Sequence, residues 1–163
     1  MEAKGESRIR YSPLIAAGIM LGLGLGGFVD GILLHQILQW HHMLSSVRPI
    51  VTVSDVELNM VWDGLFDAAT WLSTVIGLAL LWRAGAREDV PWSLNTFLGS
   101  LLVGAGLFNF FEGLIDHQIL GIHHVKPGPN ELVWDLGFLA SGVILVVAGW
   151  LLLRAGKRES TIT

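Results

Sequence analysis

Cysteine is absent from the 163 residues, and that absence removes disulfides, thiolate metal sites and a cysteine nucleophile together. Any metal must then be held by imidazole and carboxylate, with the thioethers of Met20, Met43 and Met60 as weak additional ligands. Charge is scarce too. Charged residues make up 15% of the chain, whereas soluble domains carry about 25%, so much of the surface must face something other than water. There is no basic patch interleaved with aromatics, which argues against nucleic acid as a partner. The formal net charge of −4 says little by itself, because the distribution of charge along the chain decides how it sits in a membrane.

What fills the sequence is apolar. Hydrophobic residues account for 52% of it and the mean hydropathy is +0.59. They gather into four long stretches, read as spans at residues 12–40, 58–82, 92–122 and 131–153. Each reaches the ~20 residues needed to cross a hydrocarbon layer about 30 Å thick. In lipid the backbone must pair with itself, so each span is expected to be a helix. The connections carry Pro49, Pro91, Pro127 and Pro129 together with charged residues, as segments outside the membrane should. Basic residues followed by an apolar run also open a signal peptide. The run at 13–38 is too long for one and lacks a small-x-small cleavage site, and its far end carries the motif described next.

Gly27–His42 (GFVDGILLHQILQWHH) and Asn109–His124 (NFFEGLIDHQILGIHH) are two copies of one segment. Asp30 pairs with Glu112, His35 with His117, His41 with His123 and His42 with His124. Trp62-Asp63 recurs as Trp134-Asp135, and each copy closes on Arg-Ala-Gly, at Arg83 and at Arg154. The repeats therefore run over about 12–87 and 92–158, within one transmembrane domain covering 1–163. Two spans per unit make these parallel repeats about an axis along the membrane normal. Gly18, Gly22 and Gly26 on the first span and Gly104 and Gly106 on the third are small enough for close helix contact there. The expected fold is all-α: an integral membrane four-helix bundle built from two helical hairpins.

Lys4, Arg8, Arg10, Arg83, Arg87, Arg154, Lys157 and Arg158 fall at the N-terminus, in the middle loop and at the C-terminus; only Arg48 and Lys126 lie in the other two loops. Basic loops stay in the cytoplasm. Both termini are thus expected inside a cell membrane, with the first and third loops toward the periplasm or exterior.

All six histidines fall in the repeated segment. At ~1.5 Å per residue, Asp30 and Glu112 stand about 25 Å above the cytoplasmic ends. Asp67 reaches a similar level; Asp63, Asp116, Asp135, His35 and His117 come slightly higher, and His41, His42, His123 and His124 lie at the outer rim. At ~100° per residue, Asp30 shares a face with His41, and His35 with His42. Asp63 with Asp67 and Glu112 with Asp116 are i,i+4 pairs. Ionised groups facing lipid are expensive, so these faces should turn inward. Neutral imidazole with carboxylate suits zinc, copper, iron or manganese. His35, His117, Asp30 and Glu112 are the leading ligands. His41, His42, His123 and His124 complete the site or admit its metal, while Asp63, Asp67, Asp116 and Asp135 are ligands or orient ligands.

Plainer readings stand beside this one. Rim histidines can simply meet water. Asp63 and Asp135 can pair with helix N-terminal dipoles. Asp30 and Glu112 can form structural pairs with His117 and His35. Trp40, Trp62 and Trp134 near one interface and Trp82, Trp92 and Trp150 near the other form an aromatic belt with no binding role.

The paired Asp-Gly-x-x-x-His-Gln and Glu-Gly-x-x-x-His-Gln segments, each followed by His-His and then by Trp-Asp, resemble an uncharacterised bacterial family of predicted four-helix membrane proteins, catalogued as a domain of unknown function. The resemblance covers nearly the whole chain. It implies the four-span layout and carries over no activity. The functional expectation is therefore a transition-metal site near the outer face, serving a redox or hydrolytic enzyme or a metal-handling factor. A haem protein with His35 and His117 as axial ligands and a structural or assembly subunit remain alternatives. The expected partners are the lipid bilayer and a membrane protein or second copy.

Overall fold

The computed structural model describes residues 9–159; Lys4 and Arg8 of the charge pattern lie outside them. Four helices are long and apolar enough to cross a membrane: Ser12–Ile37, Val53–Gly85, Leu94–Ile119 and Glu131–Gly156. We label the regular α-helices α1 (Ser12–Phe28), α2 (Val53–Gly85), α3 (Leu94–Glu112) and α4 (Glu131–Glu159). Among the described residues there is no strand.

Local chemistry sets the starts. Pro13 lies in the first turn of α1, where its missing N–H is no loss. Thr52 and Asp55 form a reciprocal capping box on α2, and the Ser93 hydroxyl accepts from Thr96 N on α3. The ends of α1 and α3 are unusual. Each passes into a π-helical segment, Val29–Ile37 and Gly113–Ile119 respectively, in which the backbone bonds from residue i to i−5. Leu38 N donates to Leu33 O and Leu120 N to Ile115 O, both at 2.8 Å. The winding opens further at Trp40 N to Leu34 O and Ile122 N to Asp116 O, both at 3.0 Å. The chain then reverses through left-handed residues at equivalent positions, Gln39 (φ 49°) and Gly121 (φ 58°). Helix therefore stops at Ile37 and Ile119, short of Trp40 and Ile122. The His-His pairs sit on returning loops.

The four helices form a row rather than a square. α1 packs on α3, α2 packs on the outer side of α1, and α4 packs on the outer side of α3. Glycine sets the central spacing. A Cβ on Gly22 would run into Leu101 O and one on Gly104 into Ile19 O, so these equivalent residues mark where the pseudo-twofold axis crosses backbone on backbone. Gly24 lies against Thr70 and Thr74 of α2, as its counterpart Gly106 lies against Gly142 and Val146 of α4. The outer helices keep broad apolar surfaces, including Val61, Leu65, Leu72, Ile144 and Leu151, exposed, which suits contact with acyl chains.

At one end Arg10 N donates to Asp89 O at 2.8 Å, and the Arg87 guanidinium pairs with the Asp89 carboxylate at 2.8 Å. That pairing holds the Asp89 carboxyl below its usual range. The segment before α1 and the middle loop thus share a membrane side. The loops carrying histidine meet at the other end, where Ser46 N donates to Ile122 O at 3.0 Å.

Candidate metal centre

The π-helical winding places the first ligands. In an α-helix, residues five apart point about 140° away from each other; adding nearly a residue per turn closes most of that gap. Asp30 and His35 consequently meet, with Oδ2 and Nε2 3.3 Å apart. Glu112 and His117 meet in the same way, with Oε1 and Nε2 3.0 Å apart. Both pairs form within a repeat, so the structural pairing across the axis, Asp30 with His117 and Glu112 with His35, is replaced by pairing along each chain segment. Gly31 and Gly113 allow the wound segments to sit close to α2 and α4, against Phe66 with Asp67 and against Phe138. Those two phenylalanines pack on the His35 and His117 rings at centroid distances of 5.5 and 5.3 Å.

The loops bring the next ligands. His41 Nε2 lies 3.0 Å from His35 Nε2 and 3.9 Å from Asp30 Oδ1. His123 Nε2 lies 2.7 Å from Glu112 Oε1. These two imidazoles stack across the axis, 4.8 Å between centroids with planes inclined by 5°. Asp30 and His41 do come together as the helical arithmetic proposes, but by reversal of the chain rather than by eleven residues of helix. His41, His123, His35, His117, Asp30 and Glu112 are all buried. Burial, reinforced by the neighbouring His123 and His35 rings, pushes the His41 imidazole down to about 3 and keeps it neutral.

Which nitrogen bears hydrogen follows from what lies behind each ring. His41 Nδ1 is 2.8 Å from Val125 O and His123 Nδ1 is 3.1 Å from Met43 O. A carbonyl only accepts, so both Nδ1 atoms donate, and the neutral His41 ring carries its lone pair on Nε2. Met43 and Val125 occupy equivalent places after the His-His pairs, and each repeat thus orients the other's loop histidine. Behind His35, Nδ1 is 3.3 Å from Asp63 Oδ1; behind His117, Nδ1 is 3.7 Å from Asp135 Oδ1. The outcome is four imidazole Nε2 atoms and two carboxylates converging in one buried layer. Both Asp30 oxygens, Glu112 Oε2, His35 Nδ1 and both His117 nitrogens lack a hydrogen-bond partner there. His35, His41 and His123 form one group with ligand atoms within 4.8 Å of one another, and Glu112, His117 and His123 form a second.

The other candidates surround this layer. His42 and His124 turn away from it, with Nδ1 2.6 Å from Asp63 Oδ2 and 2.7 Å from Asp135 Oδ2; His124 Nε2 also lies 3.3 Å from Glu131. Asp63 and Asp135 further accept from Met43 N at 2.8 Å and Val125 N at 2.9 Å. α2 begins ten residues before Asp63, beyond the first turn where a helix dipole acts. Pairing with the N-terminal dipole is therefore replaced for Asp63 by binding the histidine loop. Asp67 and Asp116 are half-buried and form no ion pair among the described residues; Asp67 Oδ1 has no hydrogen-bond partner.

Sequence reasoning does not single out Asn59, which is buried. Its side chain accepts from Leu44 N and donates to Arg48 O, both at 3.1 Å. It also does not find the two carbonyls at Met43 and Val125; their regular place after His-His is the one signal available. Lys126 lies over Trp40 and Trp134, 4.6 and 5.4 Å from the ring centroids, at the end of the bundle that carries the histidine loops.

Fold and layer define a membrane protein of four spanning helices whose duplicated hairpins share one buried histidine and carboxylate cluster. The chain belongs to the family described as "Predicted membrane protein (DUF2243)", whose model matches residues 17–156. No curated protein and no solved structure matches it.

Proposed function

We propose that this protein binds transition metal at the outer face of a cell membrane, using imidazole and carboxylate ligands from both repeats. The observation that carries this reading is the convergence of four Nε2 atoms and two carboxylates in one buried layer. Buried polar atoms left without hydrogen-bond partners, as both Asp30 oxygens are, cost free energy in a low-dielectric layer. A cation at their centre removes that cost, and the Nδ1 contacts of His41 and His123 to backbone carbonyls are those that orient histidine ligands. Neutral imidazoles with carboxylates and no thiolate favour iron, manganese, zinc or copper(II). Such a centre supports redox chemistry, activation of water or metal handling. The positive-inside pattern supports an outward site with cytoplasmic termini.

Haem fits less well. A porphyrin between His35 and His117 would have to displace the stacked His41 and His123 rings that lie among them. A structural role leaves unexplained why the carboxylates of Asp30 lack hydrogen-bond partners while fully buried. Elemental analysis of protein purified without chelator tests the proposal. At least one equivalent of transition metal per chain is expected, with loss in a His35→Ala plus His117→Ala variant. Protein that is metal-free as isolated, and that takes up none of the four metals on addition, would overturn it.

A further inference from the structure

Building on that metal-binding reading, we infer that the centre is dinuclear, with one ion held by Asp30, His35 and His41 and the other by Glu112, His117 and His123. Three observations carry this beyond a single ion on the axis.

The first is spacing. Ligand atoms around one ion at ~2.1 Å are about 3.0 to 3.4 Å apart in octahedral or tetrahedral arrangements. Within the first repeat the separations are 3.0 Å for His35 to His41 and 3.3 Å for His35 to Asp30, with His41 to Asp30 at 3.9 Å. Within the second they are 3.0 Å for Glu112 to His117 and 2.7 Å for Glu112 to His123. Across the axis the His35 and His123 rings lie 6.0 Å apart and the His41 and His117 rings 6.2 Å, while the stacked His41 and His123 rings, 4.8 Å apart, bring the two sets next to each other. Each repeat thus supplies ligand atoms at single-ion spacing, and the two sets adjoin at His41 and His123.

The second is charge. Asp30, Asp63, Glu112 and Asp135 are all buried, and every ion pair they make among the described residues is with histidine. Each repeat buries two of these carboxylates, and carboxylates in a low-dielectric layer require compensating positive charge. A divalent ion in each repeat supplies it where the charge lies.

The third is the ligand set. Each repeat supplies two histidines and one carboxylate, a combination that leaves coordination positions open on each metal. Two such ions side by side can take an oxygen-donor ligand between them, such as water, dioxygen, carboxylate or phosphate. His123 lies in both groups of mutually close ligand atoms, so the two positions are adjacent rather than independent.

The repeats differ in one atom of reach. Glu112 Oε1 contacts both of its histidines through a single oxygen, whereas Asp30, one methylene shorter, offers Oδ2 to His35 and Oδ1 to His41. The two ions are therefore inequivalent, and their affinities should separate in a titration.

The test is titration of chelator-stripped, detergent-solubilised protein with Co2+ alone, followed by visible absorption, elemental analysis and electron paramagnetic resonance. Two Co2+ per chain are expected. The first equivalent gives a resonance whose intensity falls as the second binds, because adjacent ions couple. His35→Gln and His117→Gln variants should each keep one ion and show no such loss. Saturation at one Co2+, or two equivalents with additive uncoupled signals, overturns the dinuclear assignment and leaves metal binding intact. No uptake of Co2+ by wild-type protein, together with metal-free protein as isolated, overturns both. The wild-type titration needs no variant to fold.

Discussion

Each residue of the buried layer has a distinct part in orientation. Asp63 is the clearest case, since its two oxygens receive His42 Nδ1 and Met43 N and one also faces His35. An Asp63→Asn substitution replaces one acceptor with a donor and loosens both the loop and the ring. It should weaken metal affinity about 10–100-fold while leaving the number of sites unchanged, as read by competition with a coloured chelator; unchanged affinity would remove Asp63 from this role. Gly121 is a second case. It adopts φ 58° with open space where a Cβ would go, so Gly121→Ala should lower stability by about 1 kcal/mol through backbone strain alone, measured by thermal unfolding in detergent. At this scale the sequence names the histidines and carboxylates that gather in the buried layer but not their directions. Nothing in the His-His pairs says that the first faces inward and the second outward. The reversal at Gln39 depends on a left-handed glutamine, which no propensity would select.

At the scale of the elements, helical periodicity carries the spans and then fails where the chemistry begins. α1 and α3 obey 3.6 residues per turn as far as Phe28 and Glu112. Beyond them the π-helical winding changes which side chains share a face, so ~100° arithmetic pairs Asp30 with His41 for the wrong reason and misses its meeting with His35. Wide turns of this kind are uncommon and carry no composition signal. They also lie where functional sites in helices are often found. Glycine contacts give the element-scale prediction. Gly22→Leu forces a side chain into the backbone of α3, where neither partner can yield, and should destabilise by about 3 kcal/mol or more. Gly64→Ala and Gly137→Ala meet nothing within 4 Å and should be neutral or stabilising by about 0.5–1 kcal/mol. Thermal unfolding in detergent separates the two outcomes, and equal effects at all three positions would contradict backbone contact at the axis.

For the whole molecule, the duplication and the four spans are legible because period, hydropathy and motif agree from end to end. The row of helices is not, because hydropathy identifies lipid-compatible segments without saying which ones touch. Only the glycines on α1 and α3 hint at the central pair. The shared layer joins the two halves through reciprocal contacts, His41 to Val125 O and His123 to Met43 O, so neither hairpin completes its ligand orientation alone. The charge pattern predicts the topology: a fluorescent protein fused after Thr163 should fluoresce in the cytoplasm and an alkaline phosphatase fused there should be inactive, and the reverse result would turn the proposed site inward. The central claim is that imidazole and carboxylate in this layer hold metal. X-ray absorption at the metal edge of the purified protein tests it most directly. The account expects a nitrogen and oxygen shell at about 2.0–2.2 Å with the outer scattering of several imidazoles; a shell without imidazole scattering, or one dominated by sulfur, would contradict it.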